Sequence, residues 1–169
     1  VVKILIKAYP EGVKQRDKIG NVALHIAVVK HNPLETISAL IEAYPEGAQQ
    51  KTNKGNLALH RAINQRCGVQ IISALLEAYP KGAQEKDYEG KIPLHNASWV
   101  KSSMDIVKLL IMAFPGGSRV AEEKGDTPLH LAVGTDFEPL KKISTELVSA
   151  LLADASPTNG ACAKNNQWQ

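Results

Sequence analysis

The sequence has few aromatic residues and no long apolar run. Aromatic residues make up 5% of the 169 residues, so alanine, leucine, isoleucine and valine must build most of the core. No apolar run approaches the roughly 18–20 residues that a membrane-spanning helix needs. Hydrophobic residues make up 44% and charged residues 22%, which is ordinary for a folded domain. The composition therefore predicts one folded domain without direct membrane insertion.

Cysteine is also scarce. The two cysteines, Cys67 and Cys162, have unrelated neighbours and fit neither a disulfide framework nor a zinc-ligand spacing. No small-residue cleavage site follows the apolar start of the chain, so it does not resemble a signal peptide. These features predict an intracellular protein in a reducing compartment, with the cytoplasm favoured and an organelle left open.

The charge of the chain is unevenly distributed. The net charge is +3, but residues 1–86 carry 12 Lys/Arg and 7 Asp/Glu, whereas residues 87–169 carry 8 and 10. Such a dipolar surface favours an oriented protein partner over a polyanion. The basic residues near the middle lack interleaved aromatics, so they are interpreted as a solvated face and no nucleic-acid binding is predicted. They are Lys51, Lys54, Arg61, Arg66, Lys81 and Lys86.

An internal repeat of 35 residues organises the chain. Four sets of residues recur in phase at this interval: Gly20, Gly55, Gly90, Gly125; His25, His60, His95, His130; Ala27, Ala62, Ala97, Ala132; and Tyr-Pro or Phe-Pro pairs beginning at Tyr9, Tyr44, Tyr79 and Phe114. Four independent markers in one phase exclude coincidence. Because a unit of this size cannot bury its own apolar face, the units must stack.

Each unit predicts a turn followed by two helices. In the unit 17–51, a polar turn with Gly20 precedes a short apolar helix over 22–30. Residues 31–33 interrupt the helical pattern, and a second helix over 34–44 carries an apolar stripe at helical spacing. Pro45 ends that helix, because the residue before proline avoids the α region. No segment shows the alternation of a strand, so the fold class is all-α.

These motifs resemble the ankyrin-repeat family. Thr127-Pro128-Leu129-His130-Leu131-Ala132 matches the family's first-helix motif in full, and residues 92–97 match it except for the threonine. The resemblance covers essentially the whole chain and implies a solenoid of stacked helix-turn-helix repeats with short hairpin-like turns. The 35-residue unit and the Ala-Tyr-Pro-x-Gly-Ala exit of the second helix depart from the family's usual pattern and indicate a variant subfamily.

The repeat predicts a single array over 1–169. Residues 1–16 are the end of a truncated repeat, 17–51, 52–86 and 87–121 are full repeats, 122–163 is a longer last repeat, and 164–169 begin a further one. The exposed ends predict either a longer array or ends covered by a partner. Six extra residues of the last repeat lie between Gly134 and Glu146, and a helix starting at Pro139 would lengthen its second helix. That element is either a projection for a partner or a tolerated insertion.

Catalysis and metal binding find little support in the sequence. The four in-phase histidines lie one stacked unit apart, about 8–10 Å, whereas zinc ligands lie about 2 Å from one ion. They are interpreted as framework residues that bond to the backbone of adjacent turns, and His95→Ala is predicted to cost about 0.5–1.5 kcal/mol. No nucleophile set or phosphate loop occurs, and Glu122-Glu123 is interpreted as a solvated turn. No enzyme activity, cofactor or metal is therefore predicted.

The resemblance implies a partner-binding surface made by the turn tips and the inner face of the first helices. These positions vary between units while the framework does not, which is typical of a scaffold with a tunable surface. Tyr88 and Trp99 are predicted anchors, because interfaces concentrate binding energy in such residues. The predicted contact residues are Lys18, Ile19, Asn21, Val29, Lys30, Asn53, Lys54, Asn56, Asn64, Gln65, Tyr88, Glu89, Lys91, Trp99, Val100, Glu123, Lys124 and Asp126.

Three functions remain open from the sequence. The first is a non-catalytic scaffold that binds a partner protein on its concave face. The second is a structural subunit held permanently in a larger assembly. The third is a regulatory segment of an enzyme whose catalytic domain lies outside this chain.

Overall fold

Nine α-helices and no strands make up the part of the chain that the structure describes. The structure is a computed structural model, and it describes residues 1–134 and 145–155. The helices are α1 (Val2–Ala8), α2 (Ala23–Val29), α3 (Leu34–Ala43), α4 (Ala58–Asn64), α5 (Val69–Ala78), α6 (Pro93–Trp99), α7 (Met104–Ala113), α8 (Pro128–Gly134) and α9 (Thr145–Ala155). The predicted all-α class is confirmed, and the predicted helices of the unit 17–51 match α2 and α3 to within one residue at each end.

The helices form two layers. The inner layer is α2, α4, α6 and α8, and the outer layer is α1, α3, α5, α7 and α9; each helix packs on its neighbours in the same layer. The core lies between the layers and is built from aliphatic side chains, as the composition predicted. Its largest fully buried members include Ile37, Leu57, Ile63, Ile72 and Leu110. This stacking of helix pairs is the predicted solenoid.

The outer helices α1, α3, α5 and α7 end at the aromatic-proline pairs, and each is followed by a short 3₁₀ helix that the sequence did not predict. After α3, Tyr44 leaves the helical conformation (φ −150°, ψ 81°), and Pro45 begins a 3₁₀ helix over Pro45–Gln49. The tyrosine ring packs on Gly47, where an added Cβ would lie 3.1 Å from its Cδ1 atom. The Tyr-Pro-x-Gly motif thus ends the helix at the tyrosine and places a glycine where the tyrosine ring leaves little room for a side chain.

The turn glycines allow adjacent turn tips to touch. Gly20, Gly55 and Gly90 have φ between 75° and 80°, a region that favours glycine. Backbone hydrogen bonds join consecutive tips: Asn53 N–H donates to the Ile19 carbonyl (3.0 Å) and Tyr88 N–H to the Lys54 carbonyl (3.2 Å). A Cβ on Gly55 would lie 2.7 Å from the Tyr88 nitrogen. Glycine therefore recurs every 35 residues for two reasons: the turn requires a positive φ, and the next turn tip packs too closely for a side chain.

The last described helix is held to the preceding unit by a buried carboxylate. Asp154 on α9 is 4% exposed and accepts hydrogen bonds from the backbone N–H of Gly116 (2.8 Å) and of Ser118 (3.0 Å), and from the Ser118 hydroxyl (2.6 Å). Leu147 and Leu151 of the predicted stripe are buried. The predicted helix start at Pro139, with Leu140 and Ile143, lies outside the described residues.

Candidate functional site

Three of the in-phase histidines, His25, His60 and His95, bond to their own helix through Nδ1 and to the next repeat through Nε2. The Nδ1 atom of His60 accepts a hydrogen bond from the Leu57 N–H (3.3 Å), and its Nε2 atom lies 3.1 Å from the Lys91 carbonyl of the next turn. His25 and His95 repeat this arrangement with the Asn56 and Asp126 carbonyls. The predicted bond to the backbone of an adjacent turn is confirmed for His25, His60 and His95, whereas the described residues show His130 bonded only to Thr127.

The histidine side chains also explain helices that begin without a polar N-cap. Val22, Leu57 and Ile92 stand at the N-cap positions, are almost fully buried and provide no side-chain cap. The histidine at the third helical position reaches back to the N-cap N–H, as Glu or Gln does in a capping box. The N-cap side chain is thereby released to pack in the core.

Burial keeps these rings neutral. The rings of His25 and His60 have no exposed surface, and this desolvation lowers the pKa of each from an ordinary value near 6.5 to about 4. Burial also lowers the pKa of His95. The neutral form with a proton on Nε2 fits the bonding, because Nδ1 must accept and Nε2 must donate. Among the described residues, no group of three or more His, Cys, Asp or Glu side chains could hold a metal ion.

A groove of about 510 Å³ runs along the inner helices and turn tips of residues 56–131. Its walls come from α4, α6 and α8 and from the turns before α6 and α8. Eight of the predicted contact residues line it: Asn56, Asn64, Glu89, Lys91, Trp99, Val100, Lys124 and Asp126. Only one of the two predicted aromatic anchors lies in the groove. Trp99 lines it, whereas Tyr88 lies at a turn tip outside the lining.

The other predicted residues lie elsewhere on the described surface or in the turns. Most of them are exposed or half-buried: Lys18, Ile19, Val29, Lys30, Asn53, Lys54, Gln65, Tyr88 and Glu123. Asn21 differs, since it is 6% exposed and its amide donates to the Asp17 carboxylate at 2.8 Å. Its side chain therefore stabilises the turn through this hydrogen bond and is not exposed for a partner to contact.

Five residues of the groove were not predicted: Asp87, His95 as a lining residue, Asn96, Glu122 and Leu131. Asp87 and Glu122 stand one position before the predicted tips, and each accepts a backbone N–H within its turn, for example from Lys124 to Glu122 at 3.0 Å. Asn96 and Leu131 share one position of the inner helix, where the other units have Ile26 and Arg61. Because the residue at this position differs in every unit, the sequence variation could have identified Asn96 and Leu131 as part of the variable surface.

Two sequence-based interpretations need correction. Glu122 is not solvated, because it is 7% exposed and its carboxylate is enclosed by its own turn. Lys51 and Lys86 are more than a solvated face. The Lys51 ammonium donates to the Lys86 carbonyl at 2.9 Å, and the Lys86 ammonium lies 3.4 Å from the Ala121 carbonyl. Both lysines therefore help to hold consecutive units together.

Trp99 is exposed although it is the largest side chain of its helix. Its exposed fraction is 60%, whereas the repeating aromatic position at Tyr44, Tyr79 and Phe114 is half-buried against the core. An ion pair between Lys91 and Glu89 (2.6 Å) lies in the same groove, raises the pKa of Lys91 and lowers that of Glu89. The groove thus presents the exposed indole of Trp99 within a mostly polar and charged lining, which suits recognition of another chain.

Comparison with known protein families gives the same repeat architecture as the structure. The family description "Ankyrin repeats (3 copies)" matches residues 1–84, and "Ankyrin repeat" matches residues 124–166. No curated protein is significantly similar to the chain. Within residues 1–134 and 145–155, no helix is long and apolar enough to cross a membrane. Ankyrin repeats are in general protein–protein interaction modules and are typically non-catalytic, and this chain belongs to the ankyrin-repeat family.

Proposed function

We propose that the chain is a non-catalytic scaffold that binds a partner protein along the groove, with Trp99 as the principal anchor. The observation that carries the proposal is the exposure of the Trp99 indole within a groove lined mostly by polar and charged side chains. A large apolar side chain left 60% exposed in such a groove gains most from being covered. Interface hot spots are enriched in tryptophan at central positions of this kind.

Residues around Trp99 extend the proposed contact surface. Asn64 and Val100 share the groove with it, and Glu89 and Lys91 line the groove from the turn before α6. Tyr88 and the remaining predicted tip residues would form a polar rim, because exposed rim contacts exclude water while contributing little energy. The scarcity of cysteine favours a reducing, intracellular compartment for this interaction.

A permanent subunit of a larger assembly is the second candidate. It is supported by apolar side chains that are exposed away from the groove and inside the array, such as Leu34 on α3 (40% exposed) and Met112 on α7 (77% exposed). A chain that functions only within an assembly is expected to aggregate when produced alone. Size-exclusion chromatography of the isolated chain distinguishes the two candidates, since a scaffold that acts alone elutes as a stable monomer.

Affinity purification with three baits tests the proposed function. The baits are the unmodified chain, Trp99→Ala and Met112→Ala, and the retained proteins are identified by mass spectrometry. Met112 is a matched control because it is 77% exposed but lies on the outer helix α7, away from the groove. A true partner is retained by the unmodified chain and by Met112→Ala but lost from Trp99→Ala. Retention that is equal on all three baits contradicts the proposal.

A further inference from the structure

The groove carries an excess of negative charge. Its lining includes the carboxylates of Asp87, Glu89, Glu122 and Asp126 but the ammonium groups of only Lys91 and Lys124. His95 is neutral at physiological pH because burial lowers its pKa. The same face of the two preceding units carries basic side chains, including Lys18, Lys54 and Arg61. The charge of this face therefore changes sign near Asp87, although the whole chain is positive.

One buried acceptor in the groove has no donor. Asn96 is 6% exposed, and its Nδ2 atom donates to Asn64 Oδ1 at 2.9 Å, but its Oδ1 atom has no hydrogen-bond partner among the described residues. A buried acceptor without a partner is unfavourable, because it has lost its hydrogen bonds to water and gained none in the protein. A bound group that donates a hydrogen bond at this position would relieve that cost.

Asp126 is a second unused acceptor. Its backbone carbonyl bonds to His95, but its carboxylate has no hydrogen-bond or ion-pair partner within residues 1–134 and 145–155. Trp99 provides an exposed aromatic ring in the same groove, and a cation over such a ring is attracted by its π electrons. Carboxylates, an unpaired amide oxygen and an aromatic ring together fit a side chain that has only donors, a positive head and an apolar stem.

We propose that the groove recognises an arginine- or lysine-bearing segment of the partner protein. The proposal rests on the function given above and specifies the chemistry of the partner. The cationic head reaches the carboxylates of Glu89 and Asp126 and donates to Asn96 Oδ1, while its methylene stem packs on Trp99. Arginine is favoured over lysine, because its planar guanidinium offers five donors and also stacks on aromatic rings.

Selection from a phage-displayed library of random peptides tests the inference without a known partner. The library is selected in parallel on the unmodified chain and on Trp99→Ala, and the sequences enriched only on the unmodified chain are compared with the input. We expect these sequences to be enriched in arginine and lysine. Enrichment of acidic or uncharged peptides that depend on Trp99 overturns this inference but leaves the proposed function standing. Absence of any Trp99-dependent enrichment contradicts both.

Calorimetric titration of the most enriched peptide then identifies the groups that recognise it. Asp126→Asn and Glu89→Gln are each expected to weaken binding about threefold to fivefold, the scale of exposed charge pairs. Glu42→Gln is the matched control, because it removes the same charge from an exposed position on the outer helix α3. Raising the ionic strength to about 1 M, where the screening length falls to about 3 Å, should also weaken binding. Equal affinities for all three variants overturn the inference.

Discussion

The side chain of a single histidine connects helix start, turn and neighbouring unit in this protein. His95 accepts a hydrogen bond from the Ile92 N–H that opens its own helix and bonds through Nε2 to the Asp126 carbonyl of the following turn. The ring has no exposed surface. The residue therefore contributes two hydrogen bonds and close packing, so the cost of about 0.5–1.5 kcal/mol expected from hydrogen bonding alone is too small.

His95→Ala is expected to lower the free energy of unfolding by about 2–4 kcal/mol. The substitution leaves the Ile92 N–H and the Asp126 carbonyl without a partner and creates a cavity at a fully buried site. His130→Ala is the matched control, because His130 is exposed and bonds only to the N–H and hydroxyl of Thr127 among the described residues. Urea denaturation of both variants measures the difference. Equal losses would show that the contact between units adds nothing.

The buried histidines also make the stability depend on pH. The pKa of His25 and of His60 is about 4 in the folded chain and near 6.5 when unfolded, so the unfolded chain binds more protons between these values. Their contribution is complete above about pH 6.5 and decreases as the pH falls toward 4. At about pH 5 each histidine should have lost about 2 kcal/mol.

Urea midpoints at about pH 7 and pH 5 measure this dependence. The comparison stops at pH 5 because carboxylates begin to bind protons below that value. His60→Gln should show a smaller decrease between the two conditions than the unmodified chain, since Gln does not titrate. A midpoint that stays constant from pH 7 to pH 5 would contradict the account of neutral, buried rings.

At the scale of the element, the turn tips form a continuous row because the chain can approach itself closely at glycine. Gly55 lies against the backbone of Tyr88, and Gly20 against that of Asn53. Gly125 has the same left-handed conformation (φ 90°), but among the described residues no heavy atom lies within 4 Å of the position of an added Cβ. Substituting each glycine therefore distinguishes the cost of the left-handed backbone conformation, which both positions share, from the cost of disturbing the stacked turn tips, which applies at Gly55.

Gly55→Ala is expected to destabilise the chain more than Gly125→Ala. The left-handed conformation costs a residue with a Cβ about 1–2 kcal/mol at either position. At Gly55 the added carbon would also lie 2.7 Å from the Tyr88 nitrogen, and such overpacking costs typically a further 1–3 kcal/mol. Thermal denaturation of the two variants compares them. Similar melting temperatures would mean that the tips are not held by close stacking.

The repeat made most of the fold predictable from the sequence, but it gave less information about the groove. Framework residues such as His60 and Gly55 recur in phase, so their positions and the helix boundaries follow directly from the 35-residue interval. Groove residues do not recur: Asn96 occupies a position held by Ile26, Arg61 and Leu131 in the other units. Whether such a side chain is buried depends on its neighbour, here Asn64, and the repeat pattern does not contain that pairing.

On the scale of the whole molecule, the stacked units place variable side chains on one face. The first part of this face is basic, and the groove that follows it is acidic and contains Trp99. An oriented partner with complementary charges would therefore be guided onto the face in one direction. The energy of binding is expected to come mainly from covering the indole, because exposed charge pairs contribute little.

The central claim, that Trp99 anchors a partner in the groove, is tested most directly by measuring two properties of Trp99→Ala. With a partner identified by the three-bait purification, binding should weaken by about 2 kcal/mol or more, the scale of a hot spot. The melting temperature should change little, since surface substitutions usually stay within about 0.5 kcal/mol. Unchanged binding would contradict the claim. So would a loss of about 3–5 kcal/mol in stability, which is the cost of removing a tryptophan from a core.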